Sequence, residues 1–485
     1  MTGNPALKKA TASTLKWNTI DRLSSQVVFA AVGIVLANNL SREDFGIVGA
    51  LYIFQAFATV FIDSGFGAAL LRLKRAGKDD YSTVFWFNLS VSILLYLILW
   101  FATPSISEFF KVGERLVPYS KIMFLAFVIN GLGIVQTNRL MKKMRVKKIA
   151  ISNIAGLTLG GALGVYLAVR GAGAWALVWQ TVSQAAIRTV WLWVSGKWLP
   201  AMVVSRRSFA KIWRVGLGVF SSSFLNTLFL YVYNFVIGGW YSISSLGVYT
   251  QADKWSKMGS ASISQILTSS FVPLLARVQD NPDSFKRYVE RINRFTAFIS
   301  LPFLLGLATL ATPLFHFLFG NKWDDAILLF QILAVRGVPV VLCSLLGNYL
   351  LALGYARSLV IIEIAKDSLL VGAILATVWS HSLPVMVWGQ LAASLLTYIA
   401  VLLITCRRTG FSILFMTRGS LPFLFITLAS CALAWIVISL AASLHPFLIL
   451  SFGAIAGAGS YILMMRLLRI PELKEAFAAL KGKLA

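Results

Sequence analysis

Apolar runs of about twenty residues recur along nearly the whole chain, separated by short connections rich in Lys, Arg, Gly and Pro. Wound as an α-helix, a run of that length spans a hydrocarbon core about 30 Å thick. Such a pattern predicts an all-α integral membrane protein with about fourteen transmembrane helices. The spans are expected at 17–38, 45–71, 83–103, 118–138, 150–169, 174–195, 212–238, 247–275, 295–318, 326–352, 358–379, 384–406, 420–441 and 446–466. Charged residues make up 13% of the chain and apolar ones 58%, against roughly 25% charged in a soluble domain. Water is therefore not its main solvent.

The net charge of +26 raises the question of nucleic acid, but position matters more than size. Most Lys and Arg fall on alternate connections, including both termini, and no separate basic domain exists to hold a nucleic acid. The asymmetry is a positive-inside pattern. It places Lys8, Lys9 and Lys16 in the cytoplasm, with the connections around Lys74, 142–148, 206–211 and 287–294. Both termini then face inward. The first apolar stretch carries Asp21 and Arg22 without a small-residue cleavage site, so it is expected to be a retained helix. The connections are short, and the longest, 196–211 and 276–294, are cytoplasmic, leaving no large outer domain for enzymology. The 276–294 segment is polar and predicted helical, with basic residues beside anionic headgroups.

A weak internal repeat is present. Leu40, Ser41 and then Gly46, Ile47, Val48 are echoed by Tyr241, Ser242 and then Gly247, Val248, Tyr249, with Gly46 and Gly247 201 residues apart. A second echo relates 138–149 to 348–359. Six helices per unit would give the two units the same topology about an axis along the membrane normal. The expected organisation is two six-helix lobes around a central cavity plus a C-terminal helix pair. An N-lobe occupies 1–195, a cytoplasmic linker 196–211, a C-lobe 212–406, and the last pair with its tail 407–485.

Charges inside spans are the informative feature, because each costs about 2.5–3.5 kcal/mol at a helix centre on insertion scales and persists only when paired, hydrated or useful. The basic ones are Arg22, Arg188, Lys254, Lys257, Arg336 and Lys366. Lys257 follows Asp253 by four residues and Lys366 follows Glu363 by three, spacings that allow local pairing. Arg22, Lys254 and Arg336 have no acid at such a spacing. Two readings stand. Arg22 and Lys254, with Lys257 and Arg336, line a wet cavity and bind a diphosphate through charge-assisted hydrogen bonds; or they pair between helices with Asp63, Asp253, Glu363 or Asp367, or snorkel to the interface. Arg188 lies about two turns from the inner end of its helix and within reach of headgroups.

Asp63 precedes Gly65 and Gly67 in FIDSGFGAALLR, a pattern that fits a hinge, a proton- or cation-binding carboxylate, or a packing acid flanked by small residues. Pro273, Pro302 and Pro339 fall inside spans eight, nine and ten, where a missing donor kinks a helix and can serve as a gating hinge or as fixed curvature. Trp240, Tyr241 and Trp323 near outer connections fit an interfacial belt better than a sugar site. Cys343, Cys406 and Cys431, and His316, His381 and His445, share no disulfide or metal-ligand spacing. No metal or cofactor is expected.

Three stretches carry a family likeness: LGVYTQADKWSKMGSASISQILTSSFVPLLARVQDN at 246–281, LFGNKWDDAILLFQILA at 318–334 and LLALGYAR at 350–357. LSREDFGIVGA from Leu40, DSGFGAALLR from Asp63 and GAGAWALVWQ from Gly171 add to it. In order, these resemble the bacterial polysaccharide-exporter (Wzx-type) flippases of the multidrug/oligosaccharidyl-lipid/polysaccharide superfamily across most of residues 10–410. The resemblance implies a non-catalytic, alternating-access flippase for an undecaprenyl-diphosphate-linked oligosaccharide in the bacterial cytoplasmic (inner) membrane. It implies as partners the lipid-linked oligosaccharide and membrane lipids, with a glycan polymerase and chain-length machinery alongside. Related flippases hold the diphosphate with cations on helices one, two and eight. Arg22 matches the first and Lys254 or Lys257 the eighth. The second helix departs from the murein-lipid pattern: its interior charge is Asp63, and Arg72 stands at the inner end. A capsule, exopolysaccharide or O-antigen unit is favoured accordingly. The coupling ion, H+ or Na+, stays open. A cation-coupled multidrug antiporter would place acids in its cavity, whereas the interior charges here are mainly basic. A membrane-embedded glycan polymerase would need clustered acids, histidines or arginines on a sizeable outer loop.

Overall fold

The computed structural model describes residues 5–63, 65–73 and 76–480, with the side chains of 5–12, 15, 266, 269–270, 273 and 476–480 outside the described set. The side chains of Lys8, Lys9 and Pro273, and the whole of Lys74, lie outside the described residues. Every regular element among those described is helical. The chain divides into two compact units, 1–250 and 251–485.

The first unit holds α1 (Pro5–Asn39), α2 (Arg42–Asp63), the short α3 (Phe66–Arg72), α4 (Lys78–Phe109), α5 (Leu116–Met123), α6 (Leu125–Lys142), α7 (Val146–Val169), α8 (Trp175–Gly196), α9 (Arg206–Trp240) and the first turns of α10 (Ile243–Val278). The second holds the rest of α10, then α11 (Pro282–Thr309), α12 (Ala311–Phe319), α13 (Asp324–Ala352), α14 (Ala356–Thr377), α15 (Leu383–Thr409), α16 (Ile413–Arg418), α17 (Leu421–Leu440), α18 (Pro446–Leu467) and α19 (Pro471–Leu480). Among the described residues, eleven helical segments are long and apolar enough to cross a membrane. Three further helices, α8, α10 and α14, have the length, at 22, 36 and 22 residues, but carry polar residues such as Gln180, Gln184 and Arg188, Asp253, Lys254 and Lys257, or Glu363, Lys366 and Asp367. Arg188, Lys254, Lys257 and Lys366 thus lie in the three less apolar helices, whereas Arg22, Asp63 and Arg336 lie in helices apolar enough to cross. Outward-facing side chains are apolar, with Phe101 78% and Leu440 81% exposed, the arrangement of a protein solvated by lipid.

Local chemistry sets several helix ends. Ser205 caps α9 by accepting from the Ser208 N–H at 3.3 Å, and Asn281 caps α11 by accepting from the Ser284 N–H at 2.9 Å. Because of that cap and Pro282 in the first turn, α11 begins in the polar 276–294 segment and runs on as one rod to Thr309, where the ninth span was expected to start at 295. Cations close the C-terminal ends of other helices. Lys142 Nζ donates to the carbonyls of Leu70 at 2.8 Å and of Leu73, Lys148 Nζ donates to the Ser195 carbonyl at 2.6 Å, and Arg139 Nη1 to the Gly196 carbonyl at 3.1 Å.

The expected second span, 45–71, is broken. Gly65 adopts φ +66° between α2 and α3, in the left-handed region. A Cβ there would stand 2.3 Å from the Gly216 carbonyl oxygen, so the backbone of α9 passes directly over the break. Phenylalanines extend that contact: Phe57 meets Phe224 at 5.7 Å, Phe61 meets Phe220 at 5.1 Å and Phe66 meets Phe209 at 5.8 Å. This packing joins α9 to α2, α3 and α4, whereas the sequence boundary at 196–211 sets it apart from the first six helices. Periodicity within one helix does not state which neighbour the helix will meet.

The internal repeat has a direct structural expression. A Cβ on Gly46 would fall 1.8 Å from the Ile243 carbonyl oxygen, and one on Gly247 would fall 2.0 Å from the Arg42 carbonyl oxygen. The two contacts are reciprocal and related by the same 201-residue offset. At this crossing α2 and the start of α10 meet backbone to backbone, as only glycine allows.

Candidate functional site

In the first unit, interior polarity concentrates where α1, α7 and α8 pack together. Gly156, Gly160 and Gly164 recur every fourth residue on α7 and let α8 come so close that added Cβ atoms would fall 2.8–2.9 Å from atoms of Gln184 and Gln180. Gly161, on another side, abuts Val32 of α1. At this junction Asn153 of α7 donates through Nδ2 to Asp21 Oδ2 at 2.9 Å and accepts through Oδ1 from Arg188 Nε at 2.9 Å. Ser25 Oγ donates to Asp21 Oδ1 at 3.4 Å. Arg188 therefore turns inward to a neutral amide that links it to an acid, and the headgroup reading of this residue is corrected. One residue beyond Asp21, about 100° further around the helix, Arg22 is exposed.

Asp63 ends α2 and accepts a hydrogen bond from the Gly67 backbone. A Cβ on Gly67 would stand 2.4 Å from Asn138 Nδ2 and 2.6 Å from Asp63 Oδ1. Gly65 makes the break, and Gly67 leaves room for the carboxylate.

In the second unit α10 carries three of the sequence candidates' elements together. Lys257 Nζ lies 2.6 Å from Asp253 Oδ2, the four-residue pair that the spacing allows. Lys254, half-buried, holds its ammonium 5.3 Å from the centroid of the Trp255 ring, and the Trp255 Nε1–H donates to Gln251 Oε1 at 3.2 Å. Trp255 also packs on Phe319 at 5.6 Å. Arg336 of α13 donates through Nε to Ser394 Oγ of α15 at 2.9 Å. Lys366 bonds Glu363 and lies 3.9 Å from Asp367 Oδ1, a local neutralisation. Pro302 and Pro339 sit inside the continuous helices α11 and α13, and Pro273 lies within α10. Trp323 is 1% exposed and packs inside its unit, which removes it from any interfacial belt.

The connection after α6 is crowded with like charge. Arg139 and Arg145 beside it hold the Lys143 ammonium below the usual lysine range. Negative charge from outside the chain would relieve that repulsion.

A family model described as polysaccharide biosynthesis protein matches residues 35–328, more than half of the chain. The chain belongs to that family. This polysaccharide biosynthesis protein is 25% identical over 357 residues to the teichuronic acid biosynthesis protein TuaB of Bacillus subtilis, covering 73% of each chain. It is 23% identical over 348 residues to the succinoglycan biosynthesis transport protein ExoT of Rhizobium meliloti, covering 71% of this chain and 70% of the other. Its fold matches a lipid II flippase MurJ in an inward closed conformation with a TM-score of 0.71 at 14% identity, over 93% of this chain and 99% of that one. The resemblance to the Wzx-type polysaccharide exporters is thereby shown, and the protein is a multi-pass membrane member of that family.

Reading the sequence alone missed Asn153 and Ser394, each of which receives a half-buried arginine, and Trp255 under Lys254. The available signal was the type of residue: an amide in an apolar block needs a partner in lipid.

Proposed function

We propose that this protein moves a polyprenyl-diphosphate-linked oligosaccharide, a repeat unit of an exopolysaccharide, capsule or O-antigen, across the bacterial cytoplasmic membrane by alternating access of two lobes about a central cavity. Arg22 on the first helix and Lys254 and Lys257 on α10, with Arg336 on α13, receive the diphosphate. The sugars travel with it while the prenyl tail stays in lipid. The observation that carries the reading is cationic side chains inside spans where each ionised group costs about 2.5–3.5 kcal/mol. Arg22 is exposed while its acidic neighbour is held aside by Asn153 and Ser25. Lys254 lies against an indole face that can also stack on a sugar. Asp63 serves as the coupling carboxylate for H+ or Na+, with Gly65 as hinge and Gly67 as its cradle. Pro273, Pro302 and Pro339 give the second lobe its bending points. Both termini lie in the cytoplasm, where a glycan polymerase's precursors are made, and the polymerase and chain-length machinery act on the exported unit.

Opening outward requires the α2–α10 crossing at Gly46 and Gly247 to part. The family membership and the relatives' roles in polysaccharide biosynthesis support this reading over a drug antiporter, which would hold acids in its cavity. Complementation of a null strain tests it. Arg22→Ala and Lys254→Ala should each abolish surface glycan with unchanged protein in the membrane, and normal surface glycan in both variants contradicts the proposal.

A further inference from the structure

Away from the interior charges, a groove of about 390 Å³ opens between α4 and α9 in the first unit. Trp86, Phe87, Val204 and Phe209 form its apolar wall, Ser90 lies at one end and Arg206 is part of its lining. Phe87 and Phe209 meet at 5.4 Å and belong to the packed aromatic cluster around Phe66, so the wall is fixed. The groove follows α4 from Thr83 to Ser90, about 10 Å of helix at 1.5 Å per residue.

The connection from α8 to α9 is strapped across this place by three hydrogen bonds to α4. The Trp86 Nε1–H donates to the Ala201 carbonyl at 2.8 Å, the Ala201 N–H donates to Ser82 Oγ at 2.9 Å, and the Ser205 N–H donates to Thr83 Oγ1 at 3.0 Å. Held this way, the strap turns its apolar side chains outward: Leu199 is 73% and Met202 88% exposed. Cations follow at once. Arg206, Arg207 and Lys211 are all exposed on the first two turns of α9. Apolar side chains turned outward beside exposed cations describe a segment seated at the lipid–water boundary, with carbon below and phosphate at its own level.

We propose that this groove is a built site for an anionic phospholipid of the bilayer, with one acyl chain lying along Trp86, Phe87 and Phe209 and the phosphate received by Arg206. Length selects the occupant. A groove that follows about 10 Å of helix takes a stretch of one extended hydrocarbon chain. That is a large share of one acyl chain and a small part of a polyprenyl tail. Charge selects the headgroup: Arg206, Arg207 and Lys211 favour a net negative lipid over a zwitterionic one by direct ion pairing. The site shares no residue with the proposed transport cations and does not depend on the flippase reading.

The test uses the full-length protein in liposomes containing phosphatidylglycerol or phosphatidylcholine with a photoactivatable group on one acyl chain, followed by mapping of the labelled peptides. The wild-type protein should label within 83–90 and 204–209, several-fold more with the phosphatidylglycerol probe. Arg206→Gln should bring that yield down to the phosphatidylcholine level. Ser90→Trp, which fills the groove from a lipid-accessible position, should remove labelling of these peptides by both probes while leaving labelling elsewhere unchanged. Equal yields from the two probes in the wild-type protein, or labelling unaffected by Ser90→Trp, would overturn the proposal. So would displacement of the probe from these peptides by polyprenyl diphosphate but not by unlabelled phosphatidylglycerol, since the groove would then be the prenyl lipid's.

Discussion

Inside a bilayer an ionised side chain must be answered by a partner, by water or by a ligand, and neighbouring residues here are answered differently. Asp21 is held by Asn153 and Ser25, and Asn153 in turn holds Arg188, while Arg22 on the next position of α1 is exposed. Asn153 thus fixes the rotation of α1, and with it the direction in which Arg22 points. Asn153→Ala removes two hydrogen bonds to ionised groups. Such bonds are worth about 1.5–3 kcal/mol each in soluble proteins and about 0.6 kcal/mol on average between membrane helices. We expect a loss of about 1–3 kcal/mol, measured by unfolding in detergent. Arg188→Met should cost more than the pair Asp21→Asn with Arg188→Met, because the single change leaves an acid without its counter-charge. Additive costs in that cycle would show that the two residues are independent. The arginine was visible in the sequence as an interior charge. Its partner was not, because residues 153 and 188 are joined by packing between helices and no spacing along one helix relates them.

At the scale of the helix, glycine decides where backbones touch and where they turn. Gly65 holds φ +66°, a conformation that costs an L-residue about 1–2 kcal/mol, beneath the Gly216 carbonyl. Gly65→Ala is expected to lower thermal stability by at least that amount and to reduce export. An unchanged melting temperature would mean that α9 yields freely over the break. Gly46 and Gly247 make the reciprocal contact between α2 and α10. Gly46→Leu should force this crossing apart. With Cys343, Cys406 and Cys431 replaced by Ala, a cysteine at Leu246, which is 0% exposed beside the crossing, should then react faster with an impermeant maleimide from outside the cell; no change in rate would show that the crossing is not what shields it. The positions of the long helices were legible because an apolar run in lipid has no alternative structure. The break at Gly65 was legible only as one of three readings of the Asp63, Gly65 and Gly67 pattern, because glycine is tolerated within a membrane helix and the approach of α9 is what requires the turn. The reach of α11 back to Pro282 was half-legible: the segment reads as helical, but its continuity with the following span depends on the Asn281 cap.

For the whole molecule, the distribution of Lys and Arg sets an orientation that labelling can check. A cysteine at Ser382 should react with an impermeant reagent in intact cells, and one at Lys143 only after permeabilisation; the reverse pattern would invert every inner and outer assignment made above. Of the two short echoes legible in the sequence, the first places Gly46 and Gly247 in contact. The grouping of α9 with the first unit was not legible, since it follows from phenylalanine contacts across helices. The central claim is that cations within the spans carry a diphosphate across. The most direct measurement is translocation in proteoliposomes holding a polyprenyl-diphosphate oligosaccharide, read by the fraction of sugar open to an external glycosidase. The wild-type protein should expose the inner-leaflet pool, and the Arg22→Ala, Lys254→Ala double variant should leave it protected at equal reconstitution. Exposure at the wild-type rate by the double variant would contradict the account.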